Sequence, residues 1–124
     1  NPHSGTQKFT TVKASIQTFI HNNSLDAEIL ETLSSGNYDL IHDKIISERV
    51  THIVIGGGHG TIHGVVNALF DLPVQFGILP LGSGNGLART LGIPMSLQKA
   101  MELILNGKSV FIDAIEINNK LSLN

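Results

Sequence analysis

The feature that most constrains this chain is a glycine-rich stretch that directly follows a short apolar run. Residues 53–55 are apolar, residues 56–64 contain five glycines, and apolar residues then recur with helical spacing. Because glycine lacks a Cβ atom, such a loop can bring backbone N–H groups close to a phosphate, and the N-terminus of the following helix adds partial positive charge. A second glycine turn of the same design lies at residues 79–86. The two stretches together predict a site for a phosphate-bearing ligand.

Patterns typical of helices and strands alternate along the chain. In residues 25–33, four of the five odd-numbered positions are apolar and the fifth is Glu31, which favours a strand, although the Glu and Ala content favours a helix. Residues 50–55 are predicted to form a fully buried strand of a parallel sheet, because their apolar residues run on without alternating. The predicted helices are 6–21, 38–48, 61–70, 84–91 and 97–105, and the predicted strands are 25–33, 50–55, 74–79 and 109–117. Strands that alternate with helices predict an α/β layered domain with a mainly parallel sheet.

Composition narrows the class of protein. With 124 residues the chain has the size of one domain. No apolar run approaches the roughly 18 residues that a membrane span needs, and the lack of cysteine excludes disulfides and thiolate metal sites. A net charge of −2 without a run of Lys or Arg indicates that nucleic acid is not a partner. Because the chain begins at Asn1 and ends within a predicted strand, we expect it to be a fragment of a longer protein.

Two common phosphate-binding motifs do not fit the glycine stretches. A Rossmann dinucleotide site needs G-x-G-x-x-G after a strand, and no glycine of either stretch starts a run with that spacing. A Walker P-loop needs G-x-x-x-x-G-K-[ST]; residues 107–109 supply its tail, but position 102 is Glu and the tripeptide ends a predicted helix. An NAD-binding oxidoreductase is therefore only a third interpretation.

Three turns considered together carry a more specific signal. Residues 1–5 read N-P-H-S-G, residues 57–61 read G-G-H-G-T, and residues 80–85 read P-L-G-S-G-N, with A-R shortly after. In order and spacing this set resembles the catalytic domain of the diacylglycerol kinase and sphingosine kinase superfamily, in particular the bacterial soluble lipid kinases. That family has N-P-x-S-G, then G-G-D-G-T followed by V-N-E-V-V-N-G-L, then P-x-G-[ST]-[GA]-N. The resemblance covers essentially the whole chain.

The resemblance implies a fold and a function. The fold is a phosphofructokinase-like and NAD-kinase-like nucleotide-binding domain, a Rossmann-type layered domain that spans residues 1–124. The function is Mg²⁺-dependent transfer of the γ-phosphate of ATP to the hydroxyl of a lipid, either diacylglycerol or a sphingoid base. In the family a second, mostly β domain helps to form the lipid pocket, and we expect that domain to be absent here. The family also implies a cytoplasmic protein that meets its lipid at a membrane surface.

By the same resemblance, a set of small and hydroxyl-bearing residues is assigned to the nucleotide. Backbone donors and small hydroxyls suit a triphosphate because they bond its oxygens without filling its space. The predicted nucleotide-binding residues are Asn1, Ser4, Ser34, Gly57, Gly58, Gly60, Thr61, Gly82, Ser83 and Asn85.

Three positions depart from the family pattern. His59 stands where the family has Asp, His63 where it has Asn, and Gly64 where it has Glu. His59 is the candidate catalytic residue, since a neutral imidazole can accept a proton, but it is a poor ligand for Mg²⁺. These changes make a nucleotide-binding pseudokinase or regulatory module the alternative function. His59 and His63 could also bind a transition metal, but without a third ligand two exposed loop histidines are favoured, and no metal site is predicted.

Overall fold

The computed structural model describes residues 9–32, 36–112, 114–117 and 120–123. Its elements in chain order are α1 (Phe9–Asn22), α2 (Asp39–Glu48), β1 (His52–Gly57), α3 (His59–Leu69), β2 (Gln75–Pro80), α4 (Gly86–Thr90), α5 (Leu97–Asn106), β3 (Ile115–Ile117) and β4 (Lys120–Ser122). Strands β1 and β2 pair in parallel, and α3 connects them. The α/β fold with a parallel sheet that the sequence predicts is therefore confirmed.

One face of the β1–β2 pair holds the main hydrophobic core. Ile55 and Ile78 lie opposite each other in the strand register, and both are buried. They pack with the apolar side of α3, on which Val65, Val66 and Leu69 are buried. Apolar residues at intervals of three and four lie on one side of a helix, which explains how α3 covers the sheet. This packing fixes the N-terminus of α3 at the point where β1 ends.

On the opposite face, α5 covers β2 and α1 packs beside it. Leu79 of β2 packs with Ala100 and Met101, which are the buried residues of α5. Ile16 and Phe19 of α1 pack against the same cluster. The parallel sheet thus has helices on both faces, which is the arrangement of layered α/β folds.

The short hairpin of β3 and β4 is attached to α3 by the side chain of Asn67. Its Nδ2 donates to the carbonyl of Leu121 (2.9 Å), and the Leu121 N–H donates back to its Oδ1 (2.6 Å). The carboxamide therefore pairs with Leu121 as a peptide group of a neighbouring strand would. One turn earlier on α3, Nε2 of His63 lies 3.2 Å from the carbonyl oxygen of Leu123. Two side chains of α3 thus hold the segment that contains β4.

The five predicted helices are confirmed in the described ranges, as are the two strands beside the glycine stretches, with ends shifted by a few residues. Three strand predictions are wrong in part. Residues 25–32 form no strand, because no strand in the described ranges pairs with them. Residues 109–112 are irregular, and β3 pairs antiparallel instead of extending the parallel sheet. Strand β1 is not fully buried: Val54 is 46 % exposed, because α5 packs over β2.

Truncation of Leu69 tests this core. Leu69 is 1 % exposed, so Leu69→Ala should lower the free energy of unfolding by about 2–5 kcal/mol through lost burial and the cavity that remains. Leu40 on α2 is 83 % exposed, and Leu40→Ala is the matched control, with an expected change within about 0.5 kcal/mol. Urea unfolding followed by circular dichroism measures both variants. Equal losses would contradict the assigned core.

Candidate functional site

The two glycine stretches meet at one edge of the sheet. Strands β1 and β2 are parallel neighbours, and their last residues, Gly57 and Pro80, lie opposite each other in the register. The loop that follows each strand therefore emerges on the same side, where ligands of open α/β sheets generally bind. The N–H of Leu81 also donates to the carbonyl of Gly57 (3.4 Å), which extends the pairing one residue into the loops.

Gly58 and Gly82 bring the two loops into direct backbone contact. A Cβ atom added to Gly58 would lie 3.1 Å from the Cα of Gly82, and one added to Gly82 would collide with the Cα of Gly58. A side chain at Gly82 therefore does not fit without a backbone shift, and one at Gly58 would press against the Gly82 backbone. Glycine is required here by the close approach of the two backbones.

The second loop is held in shape by two side chains. The N–H of Gly82 donates to Oδ1 of Asn85 (2.8 Å), and Asn85 adopts a left-handed conformation with φ of 55°. Asparagine tolerates this conformation better than most residues. Arg89 of α4 donates from its Nε to the carbonyl of Gly84 (3.0 Å), which places a guanidinium beside the loop. Arg89 is not among the predicted site residues; its position four residues after Asn85, in the last turn of a short helix, is the sequence signal that points to it.

In the first loop, Thr61 faces the interior and Gly60 faces outward. Thr61 is 7 % exposed, and a Cβ atom on Gly57 would lie 2.7 Å from the Thr61 Cβ, so this threonine packs beneath the loop. Gly60, by contrast, has no atom within 4 Å of the place its Cβ would occupy. The open side of the first turn of α3 is therefore the side that carries Gly60.

Two histidines lie together at the start of α3. His59 is the first residue of the helix and is exposed, whereas His63 is half-buried. Their ring centroids are 4.1 Å apart and the ring planes are inclined by 41°. Because Nε2 of His63 faces the carbonyl oxygen of Leu123, which can only accept, this nitrogen carries the hydrogen. The pair joins the glycine loops on one side to the β4 segment on the other.

Tyr38 occupies the space beside Gly64. A Cβ atom on Gly64 would lie 3.3 Å from the tyrosine hydroxyl, so a larger residue there would have to displace the Tyr38 ring. Partial burial raises the pKa of Tyr38 above its usual value, which keeps the hydroxyl protonated. This position therefore offers a hydroxyl instead of a carboxylate.

Comparison with known proteins decides the family. The family described as "Diacylglycerol kinase catalytic domain" matches residues 1–117. The chain belongs to this family. It is 33 % identical over 103 residues to a "Probable lipid kinase YegS-like" protein of Klebsiella pneumoniae, covering 82 % of this chain and 35 % of that relative. It is 25 % identical over 126 residues to a "Diacylglycerol kinase" of Staphylococcus carnosus, covering all of this chain and 41 % of that relative.

Solved structures of diacylglycerol kinases have the same fold. A crystal structure described as that of a diacylglycerol kinase from Bacillus anthracis superposes with a TM-score of 0.83 at 28 % identity, over 100 % of this chain and 44 % of the other. The predicted NAD-kinase-like fold is thereby confirmed, and the family is one of lipid kinases. The chain spans less than half the length of these relatives. None of the helices in the described ranges is long and apolar enough to cross a membrane.

Most of the residues predicted for the nucleotide lie at the edge where the two loops meet. The exposed Ser83 and the half-buried Asn85 follow the contact between the loops. Asn1, Ser4 and Ser34 lie outside the described residues, so their roles stay predictions. The predicted residues that the fold brings together, with the candidate catalytic residue, are Gly57, Gly58, His59, Gly60, Thr61, Gly82, Ser83 and Asn85.

The described side chains at this edge do not fit Mg²⁺, which the family implies. Mg²⁺ prefers oxygen ligands in octahedral geometry, whereas His59 and His63 present imidazole nitrogens. In the part of the chain that the structure describes, no three His, Cys, Asp or Glu residues are grouped so as to hold a metal ion. The described donor set therefore suits a phosphate better than it suits this cation.

A pair of alanine substitutions tests the contact between the loops. Gly82→Ala forces its new methyl group against Gly58, so the free energy of unfolding should fall by about 1–3 kcal/mol. Gly84→Ala, two residues later, meets no atom within 4 Å and should change stability by no more than about 0.5 kcal/mol. Urea unfolding compares the two variants. If Gly82→Ala were as stable as Gly84→Ala, the loops would not touch as described.

Proposed function

We propose that this chain is the nucleotide-binding part of a lipid kinase, which holds the phosphates of ATP while the complete protein transfers the γ-phosphate to a lipid hydroxyl. The observation that carries the proposal is the contact between Gly58 and Gly82, which sets two glycine-rich loops beside the N-terminus of α3. Membership of the diacylglycerol kinase family supports the substrate class, since the relative from Staphylococcus carnosus is named for diacylglycerol.

Phosphate binding rests on backbone donors and on one cation. The N-cap of α3 is Gly58, which has no side chain to accept from the first turn, so the N–H group of Gly60 lacks the acceptor that a capping Ser or Asp would supply. The positive end of the helix dipole favours an anion at this point. Arg89 adds a guanidinium held at the second loop. These groups suit the triphosphate of a nucleotide.

The transfer step needs a proton acceptor at the same edge. In the proposed reaction the lipid hydroxyl oxygen forms a bond to the γ-phosphorus, the bond from that phosphorus to the β–γ bridging oxygen breaks, and ADP leaves. The hydroxyl proton goes to His59, which is exposed at the first turn of α3 and in its neutral form can accept it. ATP is thus the proposed co-substrate, and no described residue is assigned to Mg²⁺.

The lipid site and the membrane contact are proposed for the rest of the protein. The chain covers 35 % and 41 % of two curated relatives and 44 % of a solved one. We propose that residues 1–124 form the nucleotide-binding domain and that a second, β-rich domain of the parent forms the lipid pocket. The complete protein would then act in the cytoplasm, at the surface of a membrane. By this proposal the isolated chain binds nucleotide but transfers no phosphate.

A nucleotide-binding module without catalysis is the second candidate. It is favoured by the donor set at the start of α3, where two imidazoles stand and no described carboxylate is grouped with them. Such a site retains what binds phosphate and lacks the anionic oxygens that hold a catalytic Mg²⁺. The two candidates agree on nucleotide binding and differ only in turnover.

Gly60→Ala separates binding from stability. Its methyl group points into open space on the proposed phosphate side, so stability should be unchanged or higher, by at most about 1 kcal/mol. ATP affinity measured by calorimetry should fall at least about tenfold, about 1.4 kcal/mol, because the phosphates can no longer approach the backbone. Leu40→Ala, which shortens an exposed side chain on α2, is the control and should bind ATP as the parent chain does. Unchanged affinity in Gly60→Ala would remove the first loop from the site.

His59→Asp in the complete parent protein decides between the two candidates. If the site lacks a carboxylate, the new Asp should raise turnover at least about tenfold, about 1.4 kcal/mol of barrier, and steepen its dependence on Mg²⁺. The measurement is steady-state ATP consumption with and without diacylglycerol vesicles across a Mg²⁺ titration. His52→Asp, an exposed histidine at the start of β1, is the control. A parent that turns over readily and is slowed by His59→Asp would make His59 the working base and exclude the pseudokinase.

A further inference from the structure

Helix α3 carries two imidazoles side by side at the edge where the glycine loops meet. His59 and His63 are four residues apart, so they lie on the same side of the helix, and their ring centroids are 4.1 Å apart. We propose that these two histidines together bind a divalent transition-metal ion of the Ni²⁺ or Zn²⁺ class. This cation is of a different class from the Mg²⁺ that the family implies. A metal ion bound to His59 would compete with the proposed role of this residue as proton acceptor, but binding of the metal does not require the kinase activity.

His63 has the surroundings of a metal-bound histidine. Its Nε2 donates to the carbonyl of Leu123 (3.2 Å), so the lone pair of the neutral ring is on Nδ1. No hydrogen bond occupies that Nδ1 within the described ranges. Histidines that ligate metals generally donate their other ring N–H to a carbonyl or carboxylate, which fixes the tautomer and the ring orientation. The Leu123 carbonyl therefore prepares His63 as a ligand before any metal binds.

His59 supplies the second ligand. It is exposed at the first position of α3, and no side-chain hydrogen bond holds its ring in the described part of the chain. The ring is thus free to turn so that one nitrogen meets the metal bound to His63. Neutral imidazole suits Zn²⁺, Cu²⁺ and Ni²⁺ rather than Mg²⁺.

Two physical limits follow from the position of the site. The positive end of the α3 dipole opposes a cation, so neither ring alone is expected to hold the metal. No third His, Cys, Asp or Glu joins the pair within the described ranges. The remaining coordination positions are filled by water, so the metal is exchangeable and open to an anionic ligand from solution.

The experiment titrates the 124-residue chain with NiCl₂ and with ZnCl₂ in the absence of nucleotide, by calorimetry. We expect one ion per chain, with no displacement by excess MgCl₂. His59→Ala should weaken binding at least about tenfold, the loss that removal of even a supporting partner causes in known sites. In NMR spectra, substoichiometric Ni²⁺ should broaden the imidazole C–H signals of His59 and His63 before those of the other histidines.

Matched histidine variants keep the test decisive. His21→Ala removes an exposed histidine of α1 and should bind Ni²⁺ as the parent does. His42→Ala removes the imidazole whose Nε2 lies 3.0 Å from a carboxylate oxygen of Asp71, the competing location for a cation. If His42→Ala lost the binding while His59→Ala retained it, the proposal would be overturned.

His63→Ala also removes the hydrogen bond to Leu123, so thermal denaturation is used to check that this variant folds. Because His59→Ala removes no such bond, the conclusion rests on His59→Ala. Displacement of Ni²⁺ by Mg²⁺ in proportion to concentration would also contradict the proposal.

A separate titration with ATP in the absence of transition metal tests the nucleotide site. Loss of ATP binding with intact Ni²⁺ binding would refute the proposed function and leave the metal site standing.

Discussion

The backbone contact between Gly58 and Gly82 is the constraint on which the rest of the site depends. Strand pairing alone brings Gly57 opposite Pro80, but it leaves the loops beyond the strands undefined. Their direct contact sets the distance between the N-terminus of α3 and the loop that Asn85 and Arg89 hold in shape. The core packing of α3 and the cover of β2 by α5 serve the same end, because they fix the two strands from opposite faces.

The chemistry of the site divides into a backbone part and a side-chain part. The proposed phosphate recognition would rely on N–H groups and a helix terminus, which are insensitive to side-chain identity apart from the need for glycine. Under the proposals above, proton and metal chemistry falls to the side chains of His59 and His63. These two positions and Gly64 are where the sequence departs from the pattern of its family. The two parts can therefore change independently. The same fold can bind a nucleotide with or without transferring its phosphate, and the imidazole pair can favour a different class of cation.

What the sequence predicts correctly is local in the chain. The glycine turns, the helix that follows each of them and the strands that precede them are encoded by neighbouring residues, and all appear in the fold. The segments 25–32 and 109–112 are misjudged because a strand exists only when another strand pairs with it, and the sequence pattern of a segment does not reveal the partner.

The interactions that organise the site are the least accessible to sequence reasoning. Gly58 and Gly82 are both predicted for the site, but they are 24 residues apart in the sequence. The spacing of residues within either loop does not predict that the two backbones touch. Asn67 meets Leu121 across 54 residues, and His63 meets Leu123 across 60. Val54 is exposed because α5 packs over β2 and leaves this residue of β1 uncovered, and the local sequence pattern does not predict the position of α5. Whether a predicted residue faces inward, as Thr61 does, or outward, as Gly60 does, is decided by such packing.

The pairing of Asn67 with Leu121 restricts which side chains can replace asparagine at position 67. The side chain donates and accepts at once, in the geometry of a peptide group. Aspartate has the same length but no donor, and it would set a negative oxygen against the Leu121 carbonyl. Glutamine has both groups but one methylene more, so its amide cannot occupy the same place without moving the hairpin. Spontaneous deamidation of this single asparagine would therefore loosen the hairpin from α3, and the exchange rate of the Leu121 amide hydrogen would report that ageing directly.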